Sequence, residues 1–134
     1  MDDTELNQLV DEWIGYQKWY AKQPPPVGGE YRPFPEEPPE YADRKWERAF
    51  QTYELLWQFI VCAYQRELSD QAIAILAAGP VEDLLSGTGA DYIDRVEELA
   101  KRDDKFNELL GGVWQNGMTN DVWKRLQRVR RTVW

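Results

Sequence analysis

Carboxylates are the side chains best placed to do chemistry in this chain, because the stronger alternatives are missing. Four adjacent pairs occur: Glu36-Glu37, Glu82-Asp83, Glu97-Glu98 and Asp103-Asp104. Acid–base hydrolysis needs two carboxyl groups converging on one bond. Neighbouring residues on a helix do not share a face, so each pair reads as solvated surface. The 134 residues include no histidine. That removes Ser-His-Asp and Cys-His nucleophile systems and the commonest metal ligand. A single cysteine without histidine also lacks the usual zinc ligand sets and allows no internal disulfide framework. Cys62 lies in the nearly continuous apolar run 55–64, where a thiol behaves as a small buried hydrophobe. No phosphate-binding glycine motif is present, and Gly87-Thr88-Gly89 reads as a break between helices. The expectation is a non-enzyme with no catalytic, cofactor-binding or metal residue.

Binding is the chemistry left, and charge directs it. The net charge is −8, from 16 Lys+Arg against 24 Asp+Glu. Residues 122–134 carry Lys124, Arg125, Arg128, Arg130 and Arg131 and no acid, which leaves residues 1–121 with 11 basic and 24 acidic side chains. An acidic body repels nucleic acid and anionic membrane and favours basic partners. The basic end, with Trp123 and Trp134, has the types of a nucleic-acid footprint. Cations near a helix C-terminus also interact favourably with the helix dipole and can pair with the acidic body. The acidity of the whole domain favours this second reading.

Residues 23–40 hold seven of the eight prolines together with Gly28 and Gly29. Proline fixes φ and lacks a donor, so neither helix nor central strand is expected there. Tyr31, Phe34 and Tyr41 punctuate the segment, suggesting a strap laid across the helices. Aromatic rings on a stiff segment make low-entropy contact area for another protein. Acids beside them would speed the capture of a basic partner. Tyr31, Phe34, Glu36 and Glu37 are therefore the first partner-binding candidates, followed by Asp94 and Glu98 on a later helix.

The elements that must position these residues read as helices throughout. In the first, residues 4–22, Leu6, Leu9, Val10, Trp13 and Ile14 recur at helical spacing, with Asp2 and Glu5 at the spacing of a start box. Residues 42–66 place Trp46, Phe50, Tyr53, Trp57, Ile60 and Tyr64 three and four apart. The second half is apolar all round, the mark of a buried central helix. Ser69 caps a helix that Gly79-Pro80 should end. Pro80 can open another that stops at Gly87 or Gly89. Residues 90–102 form a helix with outer i,i+4 pairs Asp91–Arg95, Glu97–Lys101 and Glu98–Arg102. Asp103 or Asp104 caps a one-turn helix, and Thr119 or Asn120 caps the last. No segment alternates with strand period. The expected fold is all-α: one domain, residues 1–134, as a compact bundle of six to seven helices around one central helix.

Three blocks carry a family resemblance: Ala77-Ala78-Gly79-Pro80-Val81-Glu82-Asp83-Leu84-Leu85, Tyr92-Ile93-Asp94-Arg95-Val96-Glu97, and Leu109-Leu110-Gly111-Gly112-Val113-Trp114. In this order, over about residues 55–130, they resemble the bacterial domain-of-unknown-function family 6869. Val81 stands where leucine is more usual. The family brings no established activity. Its small acidic members are similar in size and composition to proteins encoded beside bacterial toxins. The resemblance implies a bacterial, helical, cytoplasmic protein. The chain opens without a signal-peptide pattern and has no apolar stretch of bilayer length, which points the same way.

These readings converge on a protein that binds and neutralises a basic enzyme or toxin, with no cofactor and no membrane or nucleic-acid partner. The alternatives are a nucleic-acid-associated regulator using the last helix, and a helical interaction module with no inhibitory role.

Overall fold

A computed structural model describes residues 1–23 and 36–134. Tyr31, Phe34 and most of the proline-rich segment lie outside the described residues. Six α-helices follow one another: α1 Asp3–Ala21, α2 Tyr53–Tyr64, α3 Asp70–Leu76, α4 Glu82–Arg102, α5 Asp104–Leu109 and α6 Asn120–Val129. There is no strand among the described residues, and the fold they form is all-helical. None of these helices is long and apolar enough to cross a membrane.

Helix starts fall where short polar side chains can satisfy orphan backbone donors. Asp2 Oδ1 accepts the Glu5 amide at 2.8 Å, Ser69 Oγ that of Ala72 at 3.1 Å, and Asp103 Oδ1 that of Phe106 at 3.1 Å. Thr119 caps α6.

The long helix expected over 42–66 is divided. Lys45–Phe50 is a 3-10 turn, and Thr52 is extended (φ −132°, ψ 154°), with its hydroxyl capping α2 through the Leu55 amide at 3.1 Å. A threonine that bonds the backbone ahead of it starts a helix rather than continuing one. Nor is α2 enclosed on every side. Leu56, Phe59, Ile60, Ala63 and Tyr64 are buried, whereas Leu55, Trp57, Val61 and Cys62 are half-buried and Tyr53 is exposed. It touches α1, α3, α4 and α5, while α6 packs on α4.

Gly79-Pro80 was expected to end a helix, yet the chain continues through a π turn, Ala77–Val81, directly into α4. Widening the turn is one way a helical path accommodates a proline that cannot donate. The break expected at Gly87-Thr88-Gly89 is present: α4 is two helical pieces that meet across a kink at Thr88, whose backbone is not helical (φ −149°, ψ 41°). At Gly87 the Tyr53 phenol lies where a Cβ would stand. That glycine serves the close approach of α2 to α4.

A buried phenol ties the end of α2 to the start of α5. Tyr64 Oη donates to Asp103 Oδ2 at 2.8 Å. Burial first, and then this bond, push the Tyr64 phenol from its ordinary 10.0 up to about 12. A raised folded-state value means stability that is complete below pH 10 and is lost as pH rises through 12. Tyr64→Phe should flatten that alkaline decline relative to the wild type while lowering neutral stability by about 1 kcal/mol. Urea midpoints for both proteins across this range check it, and parallel declines would refute it.

Candidate partner-binding surface

Glu37 enters the described structure where the chain returns from the proline-rich segment, and it is held. Tyr16 of α1 donates its hydroxyl to Glu37 Oε1 at 2.9 Å. Arg44 forms an ion pair with the same oxygen and donates to Tyr16 Oη at 3.2 Å. The Arg44 guanidinium also lies 5.0 Å from the Tyr16 ring centroid, within cation–π range. Arg44 is left-handed (φ 45°), a conformation costing roughly 1–2 kcal/mol outside glycine. Around this clasp, the Tyr16 ring meets Trp46 at 5.0 Å and Tyr41 edge-on at 5.7 Å. Burial, followed by the Glu37 bond, raises the Tyr16 phenol above its ordinary value. Glu37 therefore straps its own chain to α1, while neighbouring Glu36 is exposed.

Beside the clasp is an open cleft of about 460 Å³, lined by Gln8, Asp11, Glu12, Glu40, Tyr41 and Lys45. Asp11 is paired with Arg66. Glu12 and Glu40 form no ion pair among the described residues, and both were missed in the sequence. One signal was available: Gln8, Asp11 and Glu12 stand three and four apart, a polar stripe on α1.

The other candidates, Asp94 and Glu98, lie on the outer side of α4. Asp94 shares Arg125 of α6 with Glu97, and these two carboxylates push the Arg125 guanidinium well above its usual value. Glu98 is 77% exposed and reaches only Arg102, at 3.8 Å. Of the three i,i+4 pairs expected here, Glu98–Arg102 alone forms. Arg95 turns to Glu54 of α2 at 2.7 Å, where Tyr92 also donates at 2.8 Å. Asp91 accepts the Thr88 hydroxyl at 2.7 Å. Arg95 and Glu97 take cross-helix partners, which join charge to elements already packed together.

The basic end is largely occupied by its own fold. Arg125 is shared as above, and Arg131 pairs with Asp104. Arg130 stacks 4.9 Å over the Trp123 ring and donates to the Val113 carbonyl at 2.8 Å. Lys124 and Arg128 remain exposed, without an ion pair among the described residues.

The adjacent carboxylate pairs diverge. Glu82 is buried and has its carboxyl raised by that burial, while Asp83 is exposed. Asp103 caps α5 and accepts from Tyr64, while Asp104 faces Arg131. Cys62 gives its thiol to Asn7 Oδ1 at 3.2 Å, and burial raises its pKa, the setting of an inert cysteine. Among the described residues, no three His, Cys, Asp or Glu side chains gather as metal ligands would.

A family model described as a family of unknown function, DUF6869, matches residues 35–133. No curated protein and no solved structure matches the chain. The match begins some twenty residues before the expected start, and so takes in Glu36, Glu37, Arg44 and Trp46 but not α1. The chain belongs to this family of unknown function, DUF6869.

Proposed function

We propose that this chain is an acidic binding protein that captures a basic protein in the bacterial cytoplasm and neutralises it, as an immunity protein does. The observation that supports the reading is how the charges are used. Arg125, Arg130 and Arg131 of the basic end are engaged within the chain. Glu12, Glu36, Glu40 and Glu98 stay at the surface of a protein with net charge −8. Such a surface draws in cations over several ångströms and raises encounter rates in a salt-dependent way. The cleft holding Glu12, Glu40 and Tyr41 adds a ring to the acids.

Affinity capture from the native host, followed by binding kinetics and an activity assay, tests the reading. The captured protein should be basic and should lose its activity as this chain is added. Glu12→Lys with Glu40→Lys should slow association by about tenfold with little change in dissociation. An acidic partner, or an enzyme that stays active in the complex, would overturn the proposal. Tight binding to short DNA or RNA that weakens steeply with salt would replace it with a nucleic-acid role.

A further inference from the structure

A second recess lies away from the Glu12–Glu40 cleft, between α3, α5 and the C-terminal segment. Its volume is about 470 Å³, within the range of sites that receive ligands or side chains. The walls are Tyr64, Leu68, Ile73, Leu76, Leu109 and Trp134. Trp134 is 49% exposed, yet it is held firmly. Its amide donates to the Gly111 carbonyl at 3.0 Å and its indole N–H to the Glu108 carbonyl at 2.8 Å. The segment leading to it is fixed where the Arg131 amide meets Asn107 Oδ1 at 2.9 Å. The ring lies over Gly111-Gly112, where a Cβ on either residue would collide with it. An indole with its only donor satisfied presents hydrocarbon to whatever enters the groove. Fixing such a ring in advance lowers the entropy cost of binding against it.

The rim carries charge. Asp70 and Glu108 are exposed and form no ion pair among the described residues. The one cation, Lys105, donates to the Arg66 carbonyl at 3.0 Å. An anionic amphiphile would meet two carboxylates here, and a second copy of this chain would bring its own −8. We propose that the groove receives an apolar side chain carried on a basic segment of the partner protein, with flanking Lys or Arg reaching Asp70 and Glu108. This rests on the basic-partner reading above and gives that reading an anchor point.

The probe is the peptide acetyl-Arg-Leu-Arg-Phe-Arg-amide, titrated into the 15N-labelled full chain and followed by NMR. Two controls replace its arginines by glutamate, or its leucine and phenylalanine by serine. The Trp134 indole signal and the Ile73 and Lys105 amides should shift with the basic apolar peptide and with neither control. Asp70→Asn and Glu108→Gln should each weaken binding by about threefold, the size of an exposed ion pair. Ile73→Glu should abolish it, and Trp134→Ala provides a second test should Ile73→Glu fail to fold. Equal binding by either control overturns the proposal, as does the absence of any shift. Shifts confined to the surroundings of Glu12 and Glu40 also overturn the groove while leaving the basic-partner reading standing. Capture of an acidic native partner, with these peptide results intact, would remove that reading and leave the groove as a site.

Discussion

Replacing Phe59 by alanine should destabilise the protein by about 3–5 kcal/mol, the usual cost of emptying a fully buried aromatic site. Phe59 is 0% exposed. Its ring receives Trp13 of α1 edge-on at 5.7 Å and meets Phe50, just ahead of α2, edge-on at 5.1 Å. Three pieces of chain, α1, the 3-10 turn Lys45–Phe50 and α2, therefore meet at one ring, and its loss leaves a cavity that none of them can fill without moving the others. Trp57, two residues earlier, looks at least as central in the sequence. It is half-buried, against Tyr92 at 6.3 Å and Phe106 at 6.0 Å. Solvent can occupy part of the space it vacates, so Trp57→Ala should cost only about 1.5–3 kcal/mol. Urea titration of both variants gives the ranking. A larger loss for Trp57→Ala would show that α2 presents its other face to the core.

The contrast between Phe59 and Trp57 shows what was legible in the sequence. Helix caps at Asp2, Ser69, Asp103 and Thr119 were readable because the signal is local, a short polar side chain beside its own backbone. Apolar spacing found α2 but could not see its break. Trp46 and Phe50 continue the three-and-four rhythm even though they belong to a separate 3-10 turn. Thr52 was the marker, and its effect depends on a backbone conformation rather than on periodicity. Gly79-Pro80 misled for the opposite reason, since a rule about α-helices does not foresee a π turn. The candidate surface was legible as residue types but not as free charges. Glu37 is claimed by Tyr16, 21 residues away, and Asp94 by Arg125, 31 residues away. Such partners are chosen by packing between helices, which no local spacing encodes. Net acidity, by contrast, survives folding because ion pairing leaves the sum unchanged.

Asn107 carries the other large expected effect, and nothing in its local sequence marks it. It is 2% exposed on α5. Its amide donates to the Ala100 carbonyl at 3.1 Å and to the Val129 carbonyl at 2.9 Å. Both carbonyls belong to helix ends, α4 and α6, where backbone acceptors lack an intrahelical partner. Its oxygen takes the Arg131 amide at 2.9 Å. One side chain thus finishes two helices and starts the tether that carries Trp134. Asn107→Leu keeps much of the volume but orphans all three groups. At about 1 kcal/mol for each lost bond, the variant should be destabilised by roughly 3 kcal/mol. Asn107→Asp should be worse at neutral pH, because it sets a carboxylate against two carbonyl oxygens in a buried place. Burial raises the pKa of such a carboxyl, so this variant should recover stability as pH falls and the group becomes protonated. The tether supplies an independent readout: trypsin should cut after Arg130 and Arg131 faster in Asn107→Leu than its global stability accounts for. In Phe59→Ala, cleavage at the same sites should follow unfolding alone. Equal ratios of cleavage to unfolding in the two variants would mean that Asn107 supports the core without gripping the C-terminal segment.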